Sequence, residues 1–424
     1  MSDRYFDAVI LGGGVIGLST AYSLSQKGAS VAVLDTGEMG HGSSLRNAGY
    51  ISPSHFIPLA APGVFTQGLK WMFNPQSPLY IPFRLDPDFI AWTLRFAQAC
   101  NAQRVSRAAP VLLDLLQKSK LLLVEMAQTQ KMAIQLEGQG LTLLFHSEKG
   151  RKHCEHEAEV ARQLSVEAKF LNLAELNALD PQIDFKALGG LHFSADMHLR
   201  PEALVQSLVQ WLREKNVSLF SKVSGIEFET LGSSKEKWIS HVKTHHGIFK
   251  SKEFILCSGA WSSQLGRELG LRISLQAGKG YSITVAHPPI IPSHPYLGVE
   301  RRLAITPFAD GLRFAGTMEF SGTTSHINHS RVEAILDSIS YYFNNIPRPD
   351  AQSHLVWAGL RPVTPDGLPY LGRHRPYRNL ITATGHAMLG VSLSAVTGKI
   401  VSDLVFNQSP SHDLTLLDPN RYDS

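Results

Sequence analysis

Three glycines, Gly12, Gly14 and Gly17, follow the apolar run Val9-Ile10-Leu11 at the spacing Gly-x-Gly-x-x-Gly. Glycine at the first position permits a tight turn, and at the second it lets backbone approach a pyrophosphate. At the third it lets the departing helix pack on the entering strand, so that the helix N-terminus meets the phosphate charge. Val15 and Ile16 fill the turn between the second and third glycines. A second apolar run from Ser30 to Leu34 ends on Asp35, a carboxylate suited to the hydroxyls of an adenosine ribose and unsuited to a 2′-phosphate. The glycine spacing alone is a weak signal. With both strands, the helix and the acid in place, it marks a dinucleotide site that disfavours NADP. Because it starts a few residues after Met1, the remaining chemistry is expected to follow it.

The elements that must position this site alternate between helix and strand. Residues 17–27 read as a helix closed by Gly28. Residues 40–49 are polar and glycine-rich, and 51–83 are apolar but dense in Pro and Gly, which predicts an irregular wrapped loop. Apolar periodicity predicts helices over 88–100, 104–128, 153–166, 201–214, 331–342 and 391–406. Strands are predicted over 141–145, 217–220, 223–229, 253–259, 275–285, 303–307 and 312–317. A nucleotide-binding architecture is thus interrupted twice. Its expected segments are 1–85, 200–272 and 355–424, with 86–199 and 273–354 forming a substrate domain.

At 424 residues the chain is long enough for two or three domains, and 43% hydrophobic with 18% charged residues is a globular balance. A formal charge of +4 without a dense Lys/Arg run argues against nucleic acid as a partner. Cys100, Cys154 and Cys257 are odd in number and widely spaced, which fits a reducing compartment. Neither a signal-peptide pattern nor an apolar run of membrane-spanning length is present, so the expectation is a cytoplasmic protein, with peripheral contact at the inner membrane face left open. Phe65, Trp71, Phe73, Leu79, Tyr80 and Ile81 could form a membrane-facing patch, though packing on the protein's own core is preferred. His153, Cys154 and His156 lie among charged residues with no second ligand pair, so no metal site is read there.

Further segments occur in a telling order: Gly42-Ser-Ser-Leu-Arg-Asn-Ala-Gly-Tyr-Ile-Ser52, Ala60-Ala-Pro-Gly63, Gly278-Lys-Gly-Tyr-Ser282, and Ala304-Ile-Thr306 with Gly316-Thr-Met-Glu-Phe-Ser-Gly322. Trp357-Ala-Gly-Leu-Arg-Pro-Val-Thr-Pro-Asp-Gly367 and Gly385-His-Ala-Met-Leu-Gly390 complete the series. Together they resemble the FAD-dependent amine oxidoreductases that include D-amino-acid oxidase, glycine oxidase and sarcosine oxidase. Within these, the bacterial D-amino-acid dehydrogenase small-subunit-like group is the nearest in pattern, and the resemblance spans nearly the whole chain. It implies an α/β fold: a Rossmann-like FAD-binding domain with an interleaved α+β substrate domain containing an antiparallel sheet.

By this resemblance Gly12, Gly14, Val15, Ile16, Gly17 and Asp35 hold the ADP half of FAD. Ser43 and Ser44 meet the pyrophosphate, while Asn47, Ala48 and Gly49 lie near the flavin. Val223 offers backbone to adenine, and Ser258, Gly259 and Trp261 belong to a second turn on the dinucleotide side. Gly385, His386, Leu389, Gly390, Val391 and Ser392 run beneath the isoalloxazine, where a helix N-terminus favours an anionic reduced ring. Some relatives attach flavin covalently through a histidine where this chain has Arg46, or a cysteine where it has Gly359. Non-covalent FAD is therefore expected.

The implied reaction is oxidation of D-amino acids to 2-imino acids, which water converts to 2-oxo acids and ammonia. The expected electron acceptor is not oxygen but a quinone or a partner redox protein. Arg361 is the main catalytic-site candidate, because a guanidinium fork binds a planar carboxylate through two parallel hydrogen bonds. The rival reading pairs it with Asp366. His386 could accept the amine proton or only shape backbone around the flavin. Tyr281 is a further catalytic candidate and Thr306 a pocket candidate, against simple β-sheet packing. Three alternatives stay open: oxygen-dependent glycine or sarcosine oxidation, dehydrogenation of a cyclic D-imino acid such as D-proline or hydroxyproline, and a flavin subunit active only with a partner.

Overall fold

The structure, a computed structural model, describes residues 3–71, 79–80 and 86–423. Among these residues the strands form two large sheets and one short pair. Five parallel strands make the spine of the first sheet, in the spatial order Leu380–Thr384, Gly247–Leu256, Asp3–Leu11, Val31–Leu34 and Ser218–Phe220. Val31–Leu34 and residues 8–11 are buried throughout, as expected for strands covered on both faces. The antiparallel hairpin Glu227–Gly232 with Lys237–Thr244 and the strand Tyr370–Arg373 extend this sheet. Helices Val15–Gln26, Ala102–Gln128, Pro201–Glu214 and Ser394–Val405 share one core, through residues such as Leu18, Leu112, Leu116, Leu208 and Ile400. Each such side chain contributes about 1.5–3 kcal/mol when fully buried.

The second sheet runs Leu355–Val363, Gln276–Ala286, Gly311–Glu319, Leu303–Phe308, Tyr296–Gly298, Leu141–Phe145, Gly189–Phe193 and Lys169–Asn172. Its pairings along this order are antiparallel except that of Tyr296–Gly298 with Leu141–Phe145. One face packs on helices His329–Asp337 and Ile339–Tyr342 through Ile283, Phe314, Val332 and Leu336. From the other face Ser282, Thr306 and Arg313 donate to the backbone carbonyls of Arg46, Ala48 and Asn47. Those three bonds tie the loop after Asp35 in one half of the molecule to the sheet of the other.

The expected α/β architecture with a second antiparallel sheet is the one observed, but its seams differ from the predicted boundaries. Leu355–Val363 belongs to the second sheet, and Ala102–Gln128 shares the core of the first, so neither 354 nor 86 divides them. The predicted irregular loop over 51–83 contains the helix Val64–Trp71. Of the apolar patch, Phe65 and Leu79 pack beside Phe89, Trp92 and Phe320, and Arg331 sits over the Tyr80 ring. Phe73, Ile81 and the Trp71 side chain lie outside the described residues. The helix predicted from 153 begins at Glu148, because the Ser147 hydroxyl accepts the Gly150 N–H and caps it. Within it His153 pairs with Glu157 at 3.0 Å while Cys154 faces the core. The helix predicted over 331–342 is two, broken at Ser338, whose hydroxyl donates back to the Ala334 carbonyl.

Candidate active site

A cavity of about 590 Å³ lies at the carboxyl ends of the parallel strands, where Leu11, Leu34, Cys257 and Thr384 line it. It extends from Asp35 to Arg361 on the edge strand of the second sheet.

At the first end, Gly12 adopts φ +118°, and a Cβ there would stand 2.5 Å from the Cys257 carbonyl oxygen. A Cβ on Gly17 would collide with the Gly12 carbonyl. Gly14 is different in kind: among the described residues the only atom packed within 4 Å of its added Cβ is Ser44 Oγ, at 3.3 Å. Its bareness serves whatever enters the cavity. The Val15 N–H donates to Ser44 Oγ at 2.9 Å, and Ile16 lines the wall. Asp35 accepts the N–H groups of Gly13 and Gly37 at 2.6 and 2.7 Å, which fixes its direction and leaves acceptor capacity at the wall.

Ser43, Ser44 and Asn47 line the next stretch. The Asn47 amide donates to the carbonyls of Ser43 and Ser44, both at 3.1 Å, and accepts the Gly49 N–H at 2.9 Å. Gly17, Ala48 and Gly49 stand outside the cavity lining. Ser258 donates its hydroxyl to the Leu11 carbonyl at 2.7 Å, Gly259 is on the wall, and Trp261 stands 42% exposed where it lines the cavity. Val223 departs from expectation. It precedes the strand that starts at Glu227, its side chain is in the core, and its N–H donates to the Asp35 carbonyl at 2.8 Å. That N–H is therefore engaged within the chain.

At the other end, Arg361 pairs in register with Gly278, and Gly359 with Gly280. Side chains alternate along a strand, so Gly278, Gly280 and Ser282 share one face while Lys279 and Tyr281 take the opposite one. The Arg361 guanidinium lies where a Cβ on Gly280 would be. Its Nη1 donates to the Thr317 carbonyl at 3.0 Å. Among the described residues no carboxylate pairs with it. Asp366, the rival partner, instead accepts a two-pronged bond from Arg421, with Nε and Nη2 each at 2.9 Å. Burial pushes the Arg361 guanidinium down to about 10, so it stays charged at neutral pH. A half-buried cation with no carboxylate beside it is a ready partner for an anion.

His386 is buried on the same wall, with Nε2 3.0 Å from Thr397 Oγ1 and Nδ1 without a partner among the described residues. Burial pushes its pKa down to about 3, so the ring is neutral. Gly385, at φ +81°, and the bond from the Ala387 N–H to the Pro362 carbonyl (2.9 Å) hold this loop against the strand of Arg361. Gly390 and Val391 line the cavity. Leu389 donates its N–H to the His386 carbonyl, and Ser392 donates its hydroxyl to the Tyr50 carbonyl, so both brace the loop from outside the wall.

Tyr281 is not brought to the cavity. It is buried behind the sheet, where its hydroxyl donates to Glu319 Oε2 at 2.8 Å, because strand parity puts it on the face opposite Gly280. Thr306 ties the loop at Ala48 and is a structural contact. Sequence reasoning passes over Gly280 and Thr317. The glycines flanking Lys279 were a usable signal for the first. Thr317 contributes only a carbonyl, which no side-chain pattern announces.

These residues fit a flavin dinucleotide. Gly14 leaves a cradle that a Cβ would fill, Asp35 stands ready for a ribose, and the 385–392 loop presents the unpartnered His386 Nδ1. Among the described residues no helix is long and apolar enough to cross a membrane. The sequence profile of a family described as FAD dependent oxidoreductase matches residues 7–404. D-amino acid dehydrogenase from Bradyrhizobium diazoefficiens is 30% identical over 424 residues, covering 98% of this chain and 98% of that protein. D-amino acid dehydrogenase from Granulibacter bethesdensis is 28% identical over 423 residues, covering 98% of this chain and 99% of that protein. Among solved structures, glycine oxidase from Geobacillus kaustophilus aligns with a TM-score of 0.78 at 21% identity, covering 99% of each chain.

Proposed function

The chain belongs to this family of FAD-dependent oxidoreductases, and on that premise we propose that it oxidises D-amino acids to 2-imino acids, which water converts to 2-oxo acids and ammonia. The observation that carries the reading is the charged Arg361 guanidinium on the cavity wall, which has no carboxylate of the protein's own among the described residues. The relatives' shared name supports the D-amino acid as the substrate that brings one.

FAD, when bound, accepts the hydride that leaves the substrate Cα. The protein's part is orientation. Arg361 takes the carboxylate, replacing lost water with charge-assisted bonds. Thr317 fixes one edge of the fork, and Gly280 leaves it room. His386, with a pKa near 3, is too weak a base to hold a proton taken from an amino group at neutral pH, so its part is to shape the loop around the flavin. The Ser44 hydroxyl, bare Gly14 and the N-terminus of Val15–Gln26 hold the pyrophosphate, and Asp35 holds the ribose. Arg46 and Gly359 offer no atom for a covalent flavin link, so the cofactor is held non-covalently. Electrons leave to an acceptor other than oxygen, a quinone or a redox protein, as the relatives' designation as dehydrogenases supports.

Anaerobic mixing of the yellow protein with matched D- and L-amino acids tests this. Bleaching of the flavin by the D-enantiomers alone is expected. Bleaching by L-amino acids, or by neither, would overturn the reading. Acid precipitation should leave the flavin in the supernatant. Rapid peroxide formation in air would contradict the choice of acceptor.

A further inference from the structure

The strand Gly311–Glu319 carries one residue too many for its neighbour. Tyr281 pairs with Gly316 but Lys279 pairs with Glu319, so Thr317 and Met318 together oppose Gly280. This is a β-bulge, a device that re-aims groups beside functional sites. Thr317 sits in it at φ +59°, a conformation that a β-branched residue rarely adopts and keeps only where its surroundings impose it. On the cavity side the bulge directs the Thr317 carbonyl at Arg361 Nη1, 3.0 Å away.

Behind the sheet the same bulge is gripped by charge. Glu319 accepts the Tyr281 hydroxyl at 2.8 Å and pairs with Lys279 Nζ at 3.3 Å and Arg331 Nε at 3.9 Å. Lys279, only 2% exposed, also donates to the His326 carbonyl at 3.1 Å. Arg331 Nη2 donates at 3.2 Å to the carbonyl of Met318, inside the bulge itself. Four polar side chains from three segments thus cluster on Glu319 beside the bulge, and one of them, Arg331, reaches the Met318 carbonyl within it.

We propose that Glu319 is a positioning residue: with Lys279, Tyr281 and Arg331 it holds the bulge from behind, and through the Thr317 carbonyl it aims the Arg361 fork at the substrate carboxylate. The inference rests on Arg361 being the carboxylate anchor. Glycine at 280 lets the guanidinium lie flat against the neighbouring strand, a contact without direction, so its aim is set by the bond to the Thr317 carbonyl. Removing the Glu319 charge leaves Lys279 buried without its counter-ion, and the bulge relaxes to separate the groups.

The test uses flavin-loaded Glu319→Gln, which keeps the side chain's size and an acceptor for Tyr281. The probe is pyruvate, the 2-oxo acid derived from D-alanine, with binding read from the visible spectrum of the bound flavin. Pyruvate affinity should fall roughly tenfold, as for loss of one well-aimed bond to a charged group. KM for D-alanine should rise in parallel, with kcat little changed and flavin content unchanged. In an Arg361→Ala background the same substitution should cost nothing further. Additive losses in the double variant would mean that Glu319 acts on the fold at large, and would overturn the proposal. So would parent-like pyruvate affinity in Glu319→Gln while Arg361→Ala binds weakly. Parent-like affinity in Arg361→Ala would instead overturn the anchor on which it rests. Should Glu319→Gln fail to fold, Tyr281→Phe, which spares the charge, carries the same test with a smaller expected loss.

Discussion

The two ends of the cavity are built on different principles. At the Gly12 end the work is done by backbone: N–H groups of Gly13, Val15 and Gly37 meet Asp35 and Ser44, and glycines let strand and helix touch. At the Arg361 end it is done by one side chain whose charge no carboxylate among the described residues answers, steadied by a single carbonyl. The first end is strict about shape, because phosphate and ribose are the same whatever is oxidised. The second is strict about charge, and its aim depends on a neighbouring strand. A part that never varies can be cast in backbone. A part that selects its ligand must be carried on a side chain with room to choose.

The sharpest way to break this contrast is at the glycines. Gly14→Val should give a folded but colourless protein, because among the described residues its added Cβ meets only the Ser44 hydroxyl, a side chain that can give way, and otherwise fills the ligand's space. Flavin absorbance near zero with native circular dichroism is the expected result, together with a lower Tm from loss of bound ligand. Gly12→Val should instead damage the fold itself, since φ +118° and the Cys257 carbonyl both exclude a side chain. Equal damage to the apoprotein in the two variants would erase the distinction between ligand-facing and chain-facing glycine.

Next in size is the other end. Arg361→Lys should keep full flavin content and lose about 1.5–3 kcal/mol of transition-state binding, roughly ten- to a hundredfold in kcat/KM. Arg361→Ala should lose more, while amines without a carboxylate are unaffected by either change. Flavin loss in these variants would show that the ends are not separable. Gly280→Ala is a gentler probe: its methyl group must displace the guanidinium, and up to about a tenfold loss in kcat/KM with flavin retained is expected.

The smallest effect is a pH dependence. His386 holds its proton far less readily in the fold, near pH 3, than at its ordinary 6.5. The unfolded chain therefore binds that proton first. Stability from the neutral ring is complete above pH 6.5 and is lost as pH falls from there toward 3. His386→Gln should flatten Tm against pH across that window and leave turnover above pH 7 nearly intact. A hundredfold loss of turnover there would make His386 a base and move proton transfer onto the protein.

What could be read in advance follows the same division. The turn at Gly12 to Gly17 and its acid at Asp35 were legible because their geometry is local. Long helices such as Pro201–Glu214 were legible from their period, and Arg361 through resemblance. Tyr281 was misplaced by strand parity: naming a strand does not say which of its faces meets the cavity, and one residue of offset exchanges them. Val223 shows another difficulty, since its N–H is claimed by the Asp35 carbonyl, a contact between segments distant in the chain. The Glu319 cluster draws on three segments and a register shift, so no window of sequence contains it. The Ser147 cap, by contrast, was visible and passed over.

The bonds that Ser282, Thr306 and Arg313 make to Arg46, Ala48 and Asn47 also set a schedule. Their donors are synthesised 236, 258 and 266 residues after the carbonyls they serve. On the ribosome, the early sheet can pair its first strands long before that stretch emerges, but the carbonyls of Arg46, Asn47 and Ala48 must meanwhile bind water. Closing contacts of such long span is slow, and it waits on most of the chain. Colour should therefore arrive late in biogenesis, as a sign that the second sheet has docked, and a chain cut short before Arg313 should carry an intact glycine turn yet stay colourless.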